Sequence, residues 1–306
     1  MIKDIPTRAD FDDIGNALLQ QAWQELISIL IEADTAEDWF RDDDVEEYWR
    51  SATTKLTTTL AIAHQAAEFF VKGRIVEVSP FLLIANSAKE WPSADSDGHT
   101  SFSKFRTVDA QDLIRLHDRS AAAPLDGKLK ERLEDLRVRR NSIMHTVDKG
   151  LEVKLSELVA SILAIHLHLV GGSWIAARRL ALHESMVTRL YSYDWIEPRL
   201  VEEFLAAEAV LSHAEVEQYF GVPSKQRRYI CSNCTWDTLA EHERDVFSAV
   251  LKPNAPDSTH VWCAVCDRQE EVDRADCGQT DCPGNVISRD WDRCLTCGFD
   301  CPDVRN

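Results

Sequence analysis

The chain has 306 residues, 44% of them hydrophobic, and a formal net charge of −18. This length is sufficient for about two domains with cores of their own, and the negative charge excludes a general nucleic-acid coat protein. The charge is uneven, since residues 1–50 carry 14 acidic and 4 basic side chains and residues 51–150 carry 13 and 15. RNA binding would therefore be confined to a local basic surface.

Apolar residues three and four positions apart predict helices along the first 220 residues. In chain order these helices are 8–33, 34–50, 52–76, 81–91, 108–120, 128–147, 155–190 and 195–219. The acidic segment 34–50 is interpreted as a solvated face, with a partner-docking or autoinhibitory surface as the alternative. Glu68 and Lys72 are interpreted as a simple surface ion pair of the i, i+4 type.

One apolar stretch, Leu158 to Ala177, has 20 residues without a formal charge. It is long enough to span a bilayer, but it contains His166 and His168, which a lone membrane span disfavours. We therefore predict a buried core helix, which Gly171-Gly172 can break in two, and no membrane association. No signal peptide is visible, so the expected compartment is the cytoplasm.

All nine cysteines follow residue 230, after a Gly-, Pro- and Ser-containing linker at 221–228. They form two sets, Cys231-x2-Cys234 with Cys263-x2-Cys266 and Cys277-x4-Cys282 with Cys294-x2-Cys297. Such pairs of thiolates on tight turns are typical of tetrahedral zinc sites in a reducing compartment. We predict two Zn2+ ions that are structural, because four thiolates leave no open position. Cys301 or His260 could replace a ligand, and interleaved pairing of the two sets stays open.

A polar cluster follows the predicted helix face of Leu129, Leu133 and Leu136. It contains Arg140, Asn141 and His145, which are the candidate catalytic residues. An imidazole can take the proton of a ribose 2′-hydroxyl near neutral pH, and a guanidinium can hold phosphate oxygens as negative charge builds on them. Asn141 could position the phosphate or the imidazole. This chemistry is cleavage of RNA without a metal.

Arg140 and His145 project about 140° apart on a regular helix, whereas Asn141 and His145 share a face. In-line cleavage favours one base and a separate acid. Two copies of the cluster facing each other across a two-fold axis would supply both, so a homodimer is expected.

The spacing Arg140-Asn141-x3-His145 resembles the R-x4–6-H motif of HEPN domains. The surrounding segments 63–72 and 112–116 are also similar to that family, and the resemblance covers roughly residues 51–170. It implies a helical bundle that dimerises around the motif and a metal-independent ribonuclease that leaves a 2′,3′-cyclic phosphate. It further implies a role in antiphage defence or growth arrest, with a protein regulator or antitoxin as a partner.

The resulting prediction is a mainly α protein, with a HEPN-like helical bundle over 1–220 and a small zinc-ribbon-like module over 221–306. The bundle would act as an endoribonuclease, with Arg137 and Arg139 drawing in the RNA substrate. The alternative is a non-catalytic HEPN-like adaptor that binds a protein or nucleic acid. The module could contact RNA or protein; its 15 acidic and 10 basic residues favour a protein slightly.

Overall fold

The computed structural model describes the backbone of residues 1–39, 42–145, 154–185, 195–238 and 245–302, and the side chains of these residues except 34–39, 42–46, 50 and 143–145. The described residues are mainly helical, with a small antiparallel sheet, which confirms the mainly α prediction. It forms two compact units, Met1–Gly172 and Ser173–Asn306.

The first unit is helical. Its helices are α1 (Arg8–Trp39), α2 (Asp42–Val78), α3 (Ala110–Ser120), α4 (Gly127–His145) and α5 (Leu155–Ile165), the last continued by a short π-helix over His166–Val170. Two short parallel strands, β1 (Ile2–Lys3) and β2 (Thr100–Ser101), pair with each other. The helix predicted over 81–91 is wrong, because this segment forms two 3-10 turns, Pro80–Leu83 and Ala88–Glu90.

The long helices α1 and α2 pack against each other and supply much of the core of the first unit. Trp23 on α1 and Phe70 on α2 are each 1% exposed. A Cβ on Gly15 would lie 2.8 Å from Cε1 of Phe70, so the close approach of the two helices requires a glycine at this position. This packing fixes the position of α2 in the first unit and therefore the position of its polar residues.

Helix α4 packs against α2, α3 and α5 through one apolar face. Leu129, Leu133 and Leu136 are all buried, as their spacing predicts. The helix begins with the Asp126 carboxylate, which accepts a hydrogen bond from the backbone N–H of Leu129 at 3.0 Å and satisfies one of the free donors of the first turn. The apolar contact and the cap together set which side chains of α4 point away from the core.

Every residue of the apolar segment Leu158–Ile165 is buried, which agrees with the predicted core helix. Gly171 and Gly172 both have positive φ, 89° and 76°, and end the π-helix there. Among the described residues, no single helix is both long and apolar enough to cross a membrane; by length and composition only the broken pair Leu155–Val170 with Trp174–Glu184 qualifies.

The second unit combines helices with a small sheet. Its elements are α6 (Trp174–Glu184), α7 (Ile196–Val210), α8 (His213–Phe220), α9 (Ser232–Thr238), β3 (Ala249–Leu251), β4 (His260–Cys263), β5 (Gln269–Asp273) and β6 (Ile287–Ser288). The sheet is antiparallel in the order β3-β4-β5-β6.

The compact units divide at 172/173, not at the predicted domain boundary of 220/221. The reason is that helices before residue 221 pack with the cysteine-rich segment. Helix α7 packs on α9, and Arg179 on α6 donates from Nη2 to the carbonyl of Val265 at 2.9 Å. These contacts cross the linker that composition alone suggested as a boundary.

Candidate functional site

A cleft of about 380 Å³ lies in the first unit, where α2, α4 and the start of α3 meet. Its cationic lining residues are Lys72, Arg137 and Arg140, and its acidic ones are Glu68 and Asp109. The remaining lining residues are Thr107, Val108, Ala110, Gln111 and Asn141. Three cations against two carboxylates make the lining slightly positive within a protein whose net charge is −18.

Two of the three predicted catalytic residues line this cleft. Arg140 donates from Nη1 to the side-chain oxygen of Asn141 at 3.0 Å, which holds the guanidinium beside the carboxamide. Among the residues whose side chains are described, Arg140 forms no ion pair with a carboxylate. His145 is the last residue of α4, and its side chain lies outside the described part of the chain.

The two predicted RNA-binding arginines are placed differently from each other. Arg137 lines the cleft and donates to Glu134 from Nε at 2.8 Å and from Nη2 at 2.5 Å. Arg139 instead donates to Asp135 at 3.0 Å and to Glu157 at 2.8 Å, beside a separate small cavity. The structure therefore brings Arg137, Arg140 and Asn141 together and keeps Arg139 apart from them.

The Glu68–Lys72 pair is not the simple surface pair that its spacing suggests. Both side chains are only 14% exposed, and Nζ of Lys72 lies 3.7 Å from Oε2 of Glu68. Burial raises the pKa of Glu68, and the positive charges of Lys72 and Arg140 oppose that rise. A largely buried lysine and carboxyl thus line the same cleft as the guanidinium of Arg140.

His64 lies beneath this pair, one turn before Glu68 on α2, and is 4% exposed. Its Nδ1 is 3.2 Å from Oε1 of Glu68 but forms no hydrogen bond with the described residues. Burial lowers the pKa of His64 to about 4, and the charges of Arg140 and Arg137 act in the same direction. His64 is therefore neutral at neutral pH.

We expect His64 to make the fold less stable in mild acid. Its folded pKa, about 4, lies below its ordinary value of 6.5, so the unfolded chain binds more protons between those values. The contribution of His64 is thus present above pH 6.5 and is lost as the pH falls towards 4. His64→Gln should reduce the fall in unfolding free energy over this range, measured by urea denaturation. The exposed His213→Gln serves as control, and equal pH profiles for all three proteins would contradict the expectation.

The structure brings each predicted set of four cysteines together. The Sγ atoms of Cys231, Cys234, Cys263 and Cys266 lie within 4.8 Å of one another, and so do those of Cys277, Cys282, Cys294 and Cys297. Both groups could hold a metal ion. The pairing follows the order in the chain, so the interleaved alternative is excluded, and His260 belongs to neither group.

The spacing of the sulfur atoms fits a tetrahedral ion. Sγ of Cys231 lies 3.6 Å from that of Cys266, and Sγ of Cys277 lies 3.7 Å from that of Cys297. Ligands about 2.3 Å from a central zinc would be about 3.8 Å apart at the corners of a tetrahedron. A disulfide would instead require about 2.05 Å.

Hydrogen-bond donors surround both groups of sulfur atoms. Backbone N–H groups of Val265 and Gly284 point at the sulfurs of Cys263 and Cys282, at 3.3 and 3.4 Å. Donors of this kind stabilise thiolates, which are the form that binds metal.

Cys301 lies outside both groups of four. It is 6% exposed and packs with Cys277, Ile287 and Cys294. Its Sγ is 3.5 Å from the carbonyl oxygen of Phe299. The ninth cysteine is therefore a buried neighbour of the second group.

Several residues that line the cleft could not be recognised as site residues from the sequence. Thr107, Asp109 and Gln111 belong to a loop and the first turn of α3, about 30 residues before Arg140. Glu68 and Lys72 could have been chosen only because they lie in segment 63–72, which resembles the HEPN family.

Comparisons with protein-family models, with curated proteins and with solved structures found no match.

Proposed function

We propose that the first unit is a HEPN-like endoribonuclease that cuts RNA without a catalytic metal. The observation that carries this proposal is the cleft, which gathers Arg140, Asn141, Arg137 and Lys72 around about 380 Å³ of open space. A cluster of fixed cations in a partly desolvated cleft suits a phosphodiester, whose charge increases in the transition state. The R-x4-H spacing supports the same chemistry.

In this reaction the ribose 2′-oxygen attacks the adjacent phosphorus, and the bond from phosphorus to the 5′-oxygen breaks. The His145 imidazole takes the proton of the 2′-hydroxyl, and a second acid protonates the leaving 5′-oxygen. The products are a 2′,3′-cyclic phosphate and a 5′-hydroxyl. Arg140 stabilises the negative charge on the phosphate oxygens, and Asn141 holds the Arg140 guanidinium in place.

The second acid is proposed to be His145 of another copy of the chain, as in the dimers that the resemblance implies. Each protomer would then supply a base to one reaction and an acid to the other. Lys72 and Arg137 would hold the flanking phosphates, because both line the same cleft as Arg140. A defence or growth-arrest role, controlled by a protein regulator, is part of the same proposal.

We also propose that each four-cysteine group holds one Zn2+. The sulfur spacing and the N–H donors fit that ion, and four thiolates close its coordination shell. The ions would hold the zinc-ribbon-like module together and take no part in RNA cleavage.

The test is cleavage of a mixed RNA substrate by the purified full chain, with brief exposure to EDTA to remove free magnesium. We expect the wild type to cut and both Arg140→Ala and His145→Ala to lose about two to three orders of magnitude in rate. The matched control is Arg115→Ala, which removes an exposed arginine of α3 that pairs with Asp112. Its rate should stay close to that of the wild type.

The products provide a second readout. A 2′,3′-cyclic phosphate, detected by mass spectrometry, is expected at the new 3′ end. Equal cleavage by all four proteins would contradict the proposed roles of Arg140 and His145. Cleavage that stops on chelation, with retained bound zinc, would contradict the metal-independent mechanism.

A further inference from the structure

Two exposed tryptophans lie side by side on the second unit. Trp236 on α9 is 62% exposed, and Trp291, in the turn after β6, is 40% exposed. Their ring centroids are 5.3 Å apart and the rings are tilted by 57°. Aromatic side chains supply much of the energy of protein interfaces, and adjacent exposed ones form a contact surface. We call these two residues the tryptophan pair.

Hydrogen bonds connect the two segments that carry the tryptophan pair. The buried carboxylate of Glu270 accepts hydrogen bonds from the hydroxyls of Ser232, at 3.0 Å, and of Ser288. Ser232 begins α9, which carries Trp236, and the backbone N–H of Trp291 donates to Ser288 at 3.1 Å. The two rings are therefore presented by segments that are tied together, which lowers the entropy lost when a ligand binds.

The charges beside the tryptophan pair are negative. Asp237 follows Trp236, and Asp290 precedes Trp291. Neither carboxylate forms an ion pair with a described residue. Oδ2 of Asp237 is buried and the positive charge of Arg268 acts on this carboxylate, whereas Asp290 is exposed.

The neighbouring arginines already form ion pairs or hydrogen bonds with other residues. Arg289 binds Glu271 at 2.5 Å and Asp273 at 2.7 Å. Arg293 lies 3.0 Å from Asp245, and Arg268 donates to the Asn233 side chain. Asp290 thus carries a negative charge that no ion pair with a described residue neutralises.

We propose that the tryptophan pair binds an arginine side chain in a basic segment of a partner protein. A guanidinium can stack on an indole ring and at the same time donate to a neighbouring carboxylate. The surface offers an exposed indole and an exposed carboxylate at the consecutive residues Asp290 and Trp291, in the turn after β6. This binding is independent of the ribonuclease proposed for the first unit.

The negative charge of this surface favours a basic peptide over a nucleic acid as the ligand. Bases also stack on exposed tryptophans, but their phosphates would meet the exposed Asp290. The segment 221–306 carries 15 acidic and 10 basic residues, so it repels a polyanion as a whole. The same charge attracts a basic peptide.

The experiment uses the full-length protein labelled with fluorotryptophan and 19F NMR at physiological salt. The probe is a short glycine–serine peptide with three spaced arginines, and the comparison peptide has glutamine in their place. We expect the arginine peptide to shift the signals of Trp236 and Trp291, assigned by Trp→Phe variants, and to leave that of Trp91 unchanged. Trp91 is a suitable reference because it is 48% exposed and lies in the first unit.

Affinity gives the second readout. Trp236→Ala and Asp290→Asn should each weaken binding of the arginine peptide about tenfold, whereas Trp91→Ala should not. Asp290→Asn removes a charge from an exposed side chain, so it tests the site even where Trp236→Ala disturbs α9. Unchanged affinity in both variants, or equal binding of the glutamine peptide, would overturn the proposal. Tighter, Trp236-dependent binding of single-stranded RNA or self-association lost in Trp236→Ala would also overturn it.

Discussion

Cys263→Ser and Cys294→Ser should each lower the bound metal from two ions per chain to one, because they remove ligands from different four-cysteine groups. Structural zinc contributes about 10–16 kcal/mol of folding free energy in small zinc peptides, comparable with the about 5–15 kcal/mol net stability of a whole domain. Loss of one ion should therefore unfold the surrounding turns. The measurements are metal content by mass spectrometry and mapping of new protease cuts within 231–302.

Cys301→Ala is the matched control for these variants. It removes a buried thiol that packs beside the second group without belonging to it. Two bound ions and the wild-type protease pattern are the expected result. If Cys301→Ala lost an ion while Cys297→Ser kept both, Cys301 would be the fourth ligand of the second site, and the proposed ligand set would be wrong.

Arg178→Ala should destabilise the second unit by about 3–5 kcal/mol, the usual effect of leaving a buried charge without its partner. Arg178 and Glu203 are 3% and 1% exposed and form two parallel hydrogen bonds, at 2.9 and 2.8 Å. Arg199 also donates to Glu203, at 3.1 Å, and should keep the effect below the upper end of that range. The change is measured by urea denaturation.

The double variant Arg178→Met with Glu203→Leu should recover most of the lost stability, because it removes both charges and keeps apolar volume. The comparison pair is Arg106 and Asp109, whose side chains are 66% and 55% exposed. Arg106→Ala should cost less than about 1 kcal/mol. A double variant as unstable as Arg178→Ala would show that packing, and not the unpaired carboxylate, causes the loss.

Local patterns predicted several features of the fold correctly. The spacing of Leu129, Leu133 and Leu136 indicated the buried face of α4, because helical periodicity is a property of neighbouring residues. The closely spaced cysteine pairs indicated the ligands of the two four-cysteine groups, because a tight turn sets the distance between the two sulfurs of a pair. Gly171-Gly172 marked the end of an apolar helix for the same kind of local reason.

Features that depend on tertiary packing were not predictable in this way. Lys72 reaches the cleft of Arg140 only because α2 packs on α4, and this packing also buries the ion pair that was interpreted as a surface pair. The Arg178–Glu203 pair joins residues 25 positions apart, beyond any helical repeat. The ribonuclease roles of Arg140, Asn141 and His145 stay a prediction, since the imidazole of His145 lies outside the described residues.

The bond from Arg179 to the carbonyl of Val265 determines where the protein can be divided for experiments. Arg179 is fixed on α6 by Glu197 of α7, at 2.7 and 3.0 Å, and its third contact holds the turn Cys263-Ala-Val-Cys266. A fragment that starts at residue 221 would lack both helices and leave that turn without its support. A fragment that starts at Ser173 retains the helices, the turn and both cysteine groups, and is the appropriate piece for studying the metal sites alone.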